Sequence, residues 1–208
     1  MTFDSHKHHR RSIRLKDYDY SQPGGYFITI CVQDRRCLFG EIINDEMKMN
    51  EVGNIVQEEW YRSSEIRPNV ELDEFVVMPN HIHGIVILHD YDDYCGGTTN
   101  GIQTNCYGRG TLQRAPTDGA HPPTFERFGK PTSNSIPTIV RLFKSATTKR
   151  VNELRHTSGM PLWERNYYEH IIRGEKDLNA IRKYILNNPI QWSLDKENPD
   201  RILDISKK

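Results

Sequence analysis

Phe75-Val76-Val77-Met78-Pro79-Asn80-His81-Ile82-His83-Gly84-Ile85-Val86-Ile87-Leu88 sets two apolar runs on either side of a Pro-Asn turn signal, which reads as two antiparallel strands joined by a turn. Side chains alternate faces along a strand, so His81, His83, Ile85 and Ile87 share one face, and Ile82, Val86 and Leu88 share the other. Both faces are therefore covered, and two imidazoles occupy a layer that could have been wholly apolar. Burying them costs free energy unless they find partners. Two imidazoles at i and i+2 on a rigid strand offer two nitrogens to a divalent metal, and a third ligand must come from elsewhere in the chain. The competing reading is packing, because the chain has nine histidines and a His-x-His pair arises by chance.

Working outward, Tyr26-Phe27-Ile28-Thr29-Ile30-Cys31-Val32 is rich in β-branched and aromatic residues and reads as a strand. Val52, Ile55, Val56 and Trp60 recur at helical spacing, with Asn50 as N-cap and Pro68 beyond the end. Ile136, Ile139, Val140 and Phe143 open a second amphipathic helix running to about Leu154. Tyr167 to Ile172 reads as a fourth core strand, and Glu175 to Asn188 as a helix stopped by Pro189. The order β-α-β-β-α-β plus a terminal helix matches the split βαβ plan, an α+β ferredoxin-like antiparallel sheet. Two helices are expected on one face and the last helix on the other.

The predicted organisation is a basic arm over 1–25, a domain over 26–192 carrying an insertion at 90–135, and a polar tail over 193–208 with little to bury. The insertion holds 7 of the 14 glycines and four prolines with almost no Ile, Leu or Val, so it cannot build a core. Lys+Arg and Asp+Glu balance at 28 each, and no global basic excess announces nucleic acid. Charge is instead local. Arg10, Arg11 and Arg14 lie in the arm, and Arg141, Lys144 and Lys149 on the second helix, two patches suited to phosphate. Cys31, Cys37, Cys95 and Cys106 fit no zinc-ligand spacing. Neither a signal peptide nor a long apolar run is present, so a cytoplasmic protein without membrane contact is expected. No Gly-rich phosphate loop and no GxSxG occur, which argues against a nucleotide-driven enzyme or an ordinary serine hydrolase.

In the last helix Tyr184 and Asn188 are i and i+4, neighbours on one face. Brought over the histidine pair, the amide would complete a metal's ligand set and the phenol would be a nucleophile. Tyr167 and Tyr168 are the competing nucleophiles, and His170 could position the helix or move a proton.

Several segments resemble the REP-associated tyrosine transposases, members of the single-tyrosine HUH transposase superfamily. They are Arg10-Arg11-Ser12-Ile13-Arg14, Tyr18-Asp19-Tyr20-Ser21-Gln22-Pro23-Gly24, Met78-Pro79-Asn80-His81-Ile82-His83, Trp163, Glu169-His170-Ile171-Ile172-Arg173 and Tyr184-Ile185-Leu186-Asn187-Asn188-Pro189. The resemblance departs at the 90–135 insertion, longer than the short link expected there. It implies His81 and His83 as metal ligands, Asn188 as third ligand and Tyr184 as catalytic nucleophile. It further implies Mg²⁺ or Mn²⁺ as cofactor, single-stranded or hairpin DNA from repetitive extragenic palindromes as partner, and a 5′-phosphotyrosine intermediate. Monomer and homodimer are equally compatible. Two other readings stay open from the residues: a non-catalytic nucleic-acid-binding module, and a metal-dependent phosphodiesterase or RNA endonuclease that activates water.

Overall fold

A computed structural model describes residues 18–90, 132 and 134–201. The arm arginines Arg10, Arg11 and Arg14, most of the 90–135 insertion, Cys95 and Cys106 lie outside the described residues. Four strands form the main sheet: β1 (Gly24–Cys31), β4 (Val70–Val77), β5 (His81–Leu88) and β6 (Tyr168–Ile172). Their order is β4-β5-β1-β6 and every pairing is antiparallel, as the split βαβ plan requires. The α+β class and its layers are those read from the sequence.

Helices α1 (Glu51–Glu65) and α2 (Ile136–Arg155) cover one face. Tyr26, Ile28, Ile30, Ile82 and Val86 meet Val56, Trp60, Val140 and Phe143 there in the larger core. Asn50 caps α1 as expected, its Oδ1 accepting from the backbone of Val52 at 3.0 Å and Gly53 at 3.1 Å. Helix α3 (Glu175–Asn187) covers the opposite face, burying Leu178 and Ile185 against Phe27, Ile85 and Ile172. Apolar residues alternate with apolar residues on β1 and β5 because both faces are covered.

A small hairpin absent from the sequence reading precedes α1: β2 (Gly40–Ile43) and β3 (Glu46–Met49). Asn44 and Asp45 form its two-residue turn with φ of 52° and 63°, the left-handed pair that suits a tight hairpin and that Asn and Asp tolerate. Among the described residues no helix is long and apolar enough to cross a membrane.

The tail also differs from expectation. Asn188, placed directly before the helix-stopping Pro189, keeps helical angles (φ −61°, ψ −43°) with a buried side chain. Gln191 N–H donates back to Asn187 and Asn188, and a turn of 3-10 helix follows over Trp192–Leu194. Residues 192–198 thus return to the sheet, and Glu197 is buried. A polar segment can be buried when its polar atoms are bonded, and Glu197 is bonded by Asn80 at its carbonyl and by Arg35 at its carboxylate.

Candidate active site and metal centre

The site lies on the sheet face under α3, at the end of β5 where the Pro-Asn turn begins. That turn is internal. Met78 N–H donates to His81 O at 2.8 Å, Val32 N–H to Asn80 O at 2.8 Å and Phe39 N–H to Pro79 O at 3.0 Å. Backbone bonds from three directions therefore fix the first residue of β5. Antiparallel register places Cys31 opposite His81 and Thr29 opposite His83.

Both histidines are buried, and their Nε2 atoms stand 3.0 Å apart. The outer nitrogens are anchored, His83 Nδ1 to Thr29 Oγ1 at 2.8 Å and His81 Nδ1 to Asn80 Oδ1 at 2.9 Å. Asn80 settles the His81 tautomer. Its amide nitrogen donates to Arg35 O at 2.9 Å and Glu197 O at 2.7 Å, so its oxygen faces the ring and accepts from Nδ1–H. His81 Nε2 therefore presents a lone pair inward, as a metal-ligating imidazole does.

Helix α3 is held in place at its middle and at its first turn. Arg182 forks onto Asp73 of β4, Nε to Oδ1 at 2.9 Å, and His170 Nε2 meets Asp177 Oδ2 at 2.9 Å in the first turn. His170 thus positions the helix. One helical turn beyond the partly buried Ile181, Tyr184 reaches the site, its hydroxyl 3.3 Å from His83 Nε2. Phe27 stacks on the His83 ring at 5.4 Å and meets the Tyr184 ring edge-on at 6.0 Å, fixing both. Tyr184 stays 42 % exposed and opens into a cleft of about 420 Å³. The site therefore combines a buried nitrogen pair with a phenol that a large substrate can reach.

Residues fit for a divalent ion are present. Two imidazole nitrogens and the Asp195 carboxylate lie within 4.8 Å of one another, and Asp195 Oδ2 is 3.8 Å from His81 Nε2. Asn188 Oδ1, the ligand expected from the sequence, is buried with no hydrogen-bond partner among the described residues. Two imidazole nitrogens with a carboxylate beside them are a donor set that fits a divalent cation. Asp195 escaped the sequence reading because it lies past a helix-stopping proline in a polar stretch, with no local pattern to mark it.

Burial depresses both imidazoles. His81 is pushed down to about 4 by desolvation, against the attraction of Asp195, and His83 falls well below its ordinary value through desolvation and the neighbouring His81. Both stay neutral, and so available as ligands, throughout the neutral range. Because the folded values lie below the unfolded 6.5, the stability they contribute is full above that pH and is lost as pH falls toward about 4. Thermal melts in a chelator from pH 7 to pH 4 should show the midpoint falling through this window. A flat profile would contradict buried neutral imidazoles.

The predicted basic residues divide. Lys144 does not face solvent as a free cation: its Nζ donates to Glu164 O and Asn166 O, each at 2.9 Å, and braces the 164–167 segment at the cleft rim. Arg141 and Lys149 are exposed on α2, which covers the face opposite α3, and Lys149 sits 3.9 Å from Glu153. Tyr168 lines the cleft from β6 and is 49 % exposed, and the rim residue Tyr167 is half-buried.

No protein-family model matches the chain. A Haemophilus influenzae protein described as uncharacterized is 41% identical over 189 residues, covering 90% of this chain and 92% of its own. Among solved structures, a REP-associated tyrosine transposase bound to a REP hairpin aligns over 86% of this chain and 73% of its own, with 18% identity and a TM-score of 0.49. A putative transposase from Deinococcus radiodurans aligns over 84% and 95%, with 17% identity and a TM-score of 0.36.

Proposed function

This chain belongs to the family of the Haemophilus influenzae protein, and we propose that it is a metal-dependent nicking and joining enzyme for single-stranded DNA, a tyrosine transposase of the HUH kind. The observation that carries the reading is the Tyr184 hydroxyl 3.3 Å from the nearer nitrogen of a buried imidazole pair. A water-activating phosphodiesterase needs no phenol at that place, and a binding module needs neither phenol nor ligand set.

When bound at His81, His83 and Asn188, Mg²⁺ or Mn²⁺ supplies Lewis-acid polarisation of a nonbridging phosphate oxygen. Tyr184 Oη attacks the phosphorus, and the bond from phosphorus to the 3′ oxygen breaks. The products are a 5′-phosphotyrosine and a free 3′-OH, the leaving oxygen taking a proton from water. The phenol enters protonated, because burial and the nearby Asp195 raise its pKa above the ordinary value of 10.0, and its proton leaves at the open cleft mouth. Phe27 holds the ring in line with the histidines meanwhile. The covalent bond retains the energy of the phosphodiester, so a second strand end can rejoin without a nucleotide.

Flanking nucleotides have a platform in Tyr168, with Lys196 Nζ 5.9 Å from its ring centre. Arg10, Arg11, Arg14, Arg141 and Lys149 would contribute sequence-independent phosphate contacts. Hairpins of the repetitive extragenic palindrome type are the proposed substrates, from the motif resemblance.

The test is a denaturing gel of the full chain with labelled hairpin DNA and Mn²⁺. A protein–DNA band is expected from the wild type and is lost in His81→Ala. Cut DNA without an adduct would favour water as nucleophile, and binding without cleavage the non-catalytic module.

A further inference from the structure

We infer that Asp195 is the anionic ligand of the ion held by His81 and His83, and that Asn80 is the positioning residue that docks the segment carrying it. The inference rests on the metal reading above and adds to it a ligand from beyond the nucleophile helix.

The first argument is a mismatch of like groups. Asp195 sits in a surface segment, yet its side chain is only 7% exposed. Its Oδ1 accepts from Glu197 N–H at 2.7 Å, and its Oδ2 points at His81 Nε2 across 3.8 Å. The Asn80 amide makes that nitrogen a lone-pair acceptor. A buried carboxylate therefore faces an acceptor, an arrangement that is unfavourable unless a cation lies between them. Ligand atoms on one small divalent ion, with bonds of about 2.1 Å, stand roughly 3 to 4.2 Å apart. The pairs His81–His83 at 3.0 Å and His81–Asp195 at 3.8 Å fall in that range, and all three ligand atoms lie within 4.8 Å of one another.

The second argument concerns what brings Asp195 there. Asn80 is fully buried, and one amide serves three elements: its oxygen orients His81, and its nitrogen ties Glu197 O and Arg35 O. Arg35 adds a 2.6 Å ion pair to Glu197, and Trp192 lies over the His81 ring at 6.0 Å. Residues 192–198 are thus fastened by the residue that sets the ligand tautomer. Ion binding and docking of this segment are coupled, and coupling of equilibria is reciprocal.

The experiment is Mn²⁺ titration of the full chain by calorimetry, with trypsin cleavage after Lys196 followed by mass spectrometry. Asp195→Asn should bind at least about tenfold more weakly than wild type, and His81→Ala should not bind. Asn80→Asp keeps an acceptor for His81 Nδ1–H but loses both donated bonds. Mn²⁺ should slow cleavage after Lys196 in wild type and not in Asn80→Asp, with circular dichroism unchanged in each variant. Wild-type affinity in Asp195→Asn, with binding lost in His81→Ala, overturns the Asp195 assignment alone. Cleavage after Lys196 protected equally in Asn80→Asp overturns the role of Asn80. Absence of Mn²⁺ binding by wild type, or equal binding by His81→Ala, overturns the metal reading and this inference together.

Discussion

Tyr184→Phe should abolish the covalent protein–DNA band, lowering its rate of formation by at least about a thousandfold, while Tyr168→Phe keeps the band. The substitution removes one oxygen and leaves the ring, so the contact with Phe27 and the packing of α3 survive. Mn²⁺ affinity should therefore change little, since the ligands are untouched. That separates loss of the nucleophile from collapse of the site. Tyr168 is the more exposed phenol, at 49% against 42%, and exposure alone would favour it. Geometry favours Tyr184 instead, because its hydroxyl stands 3.3 Å from His83 Nε2, on the side where the two imidazole nitrogens meet. The same chemistry sets a pH dependence. With the Tyr184 phenol raised above 10.0 by burial, then by Asp195, the reactive phenolate fraction grows about tenfold per pH unit through the neutral range. Single-turnover rates between pH 7 and 9 should rise with that slope if deprotonation precedes attack. A band that persists in Tyr184→Phe would remove this residue as the nucleophile.

Gly84→Ala should be among the most destabilising single-methyl changes in the chain, by about 3 kcal/mol or more. A Cβ at this position would stand 2.3 Å from Trp60 Cζ2 and 2.8 Å from Cη2. The indole cannot retreat. It stacks on Phe75 at 4.7 Å and meets Phe143 edge-on at 5.6 Å, and is 2% exposed. Strand β5 must then move instead, and β5 carries His83 on its other face one residue away. Loss of stability and loss of the adduct are expected together, with the melting midpoint lower by roughly 6–12 °C for a chain of this size. Trp60→Phe combined with Gly84→Ala should recover part of the stability by vacating the space the methyl needs. A midpoint for Gly84→Ala within a degree of wild type would mean that the contact relaxes at little cost.

Periodicity sufficed for the elements that fill the two cores. The alternation in His81–Leu88, the helical stripe of Val52, Val56 and Trp60, and the Asn50 cap are local patterns with local causes. They carry the sheet, the two-helix face and the placing of α3 opposite. The β2–β3 hairpin was missed although its Asn44-Asp45 turn is also a local signal, because its flanking strands are short and half polar. Lys144 shows the limit from the other side. Its charge suggested phosphate, but backbone carbonyls of a distant segment engage it.

By itself, then, the sequence determined which residues line each face of β5, and hence that two imidazoles would lie side by side under a covering layer. It also put a phenol and an amide on one side of the helix that provides that layer. Only the tertiary structure decided that Asn80 directs the His81 lone pair inward and that a carboxylate from beyond Pro189 returns to meet it. The reason is physical. A repeating side-chain pattern follows from backbone geometry within a few residues, whereas the meeting of Asp195 with His81, more than a hundred positions apart, depends on hydrogen bonds that form only once the chain has folded.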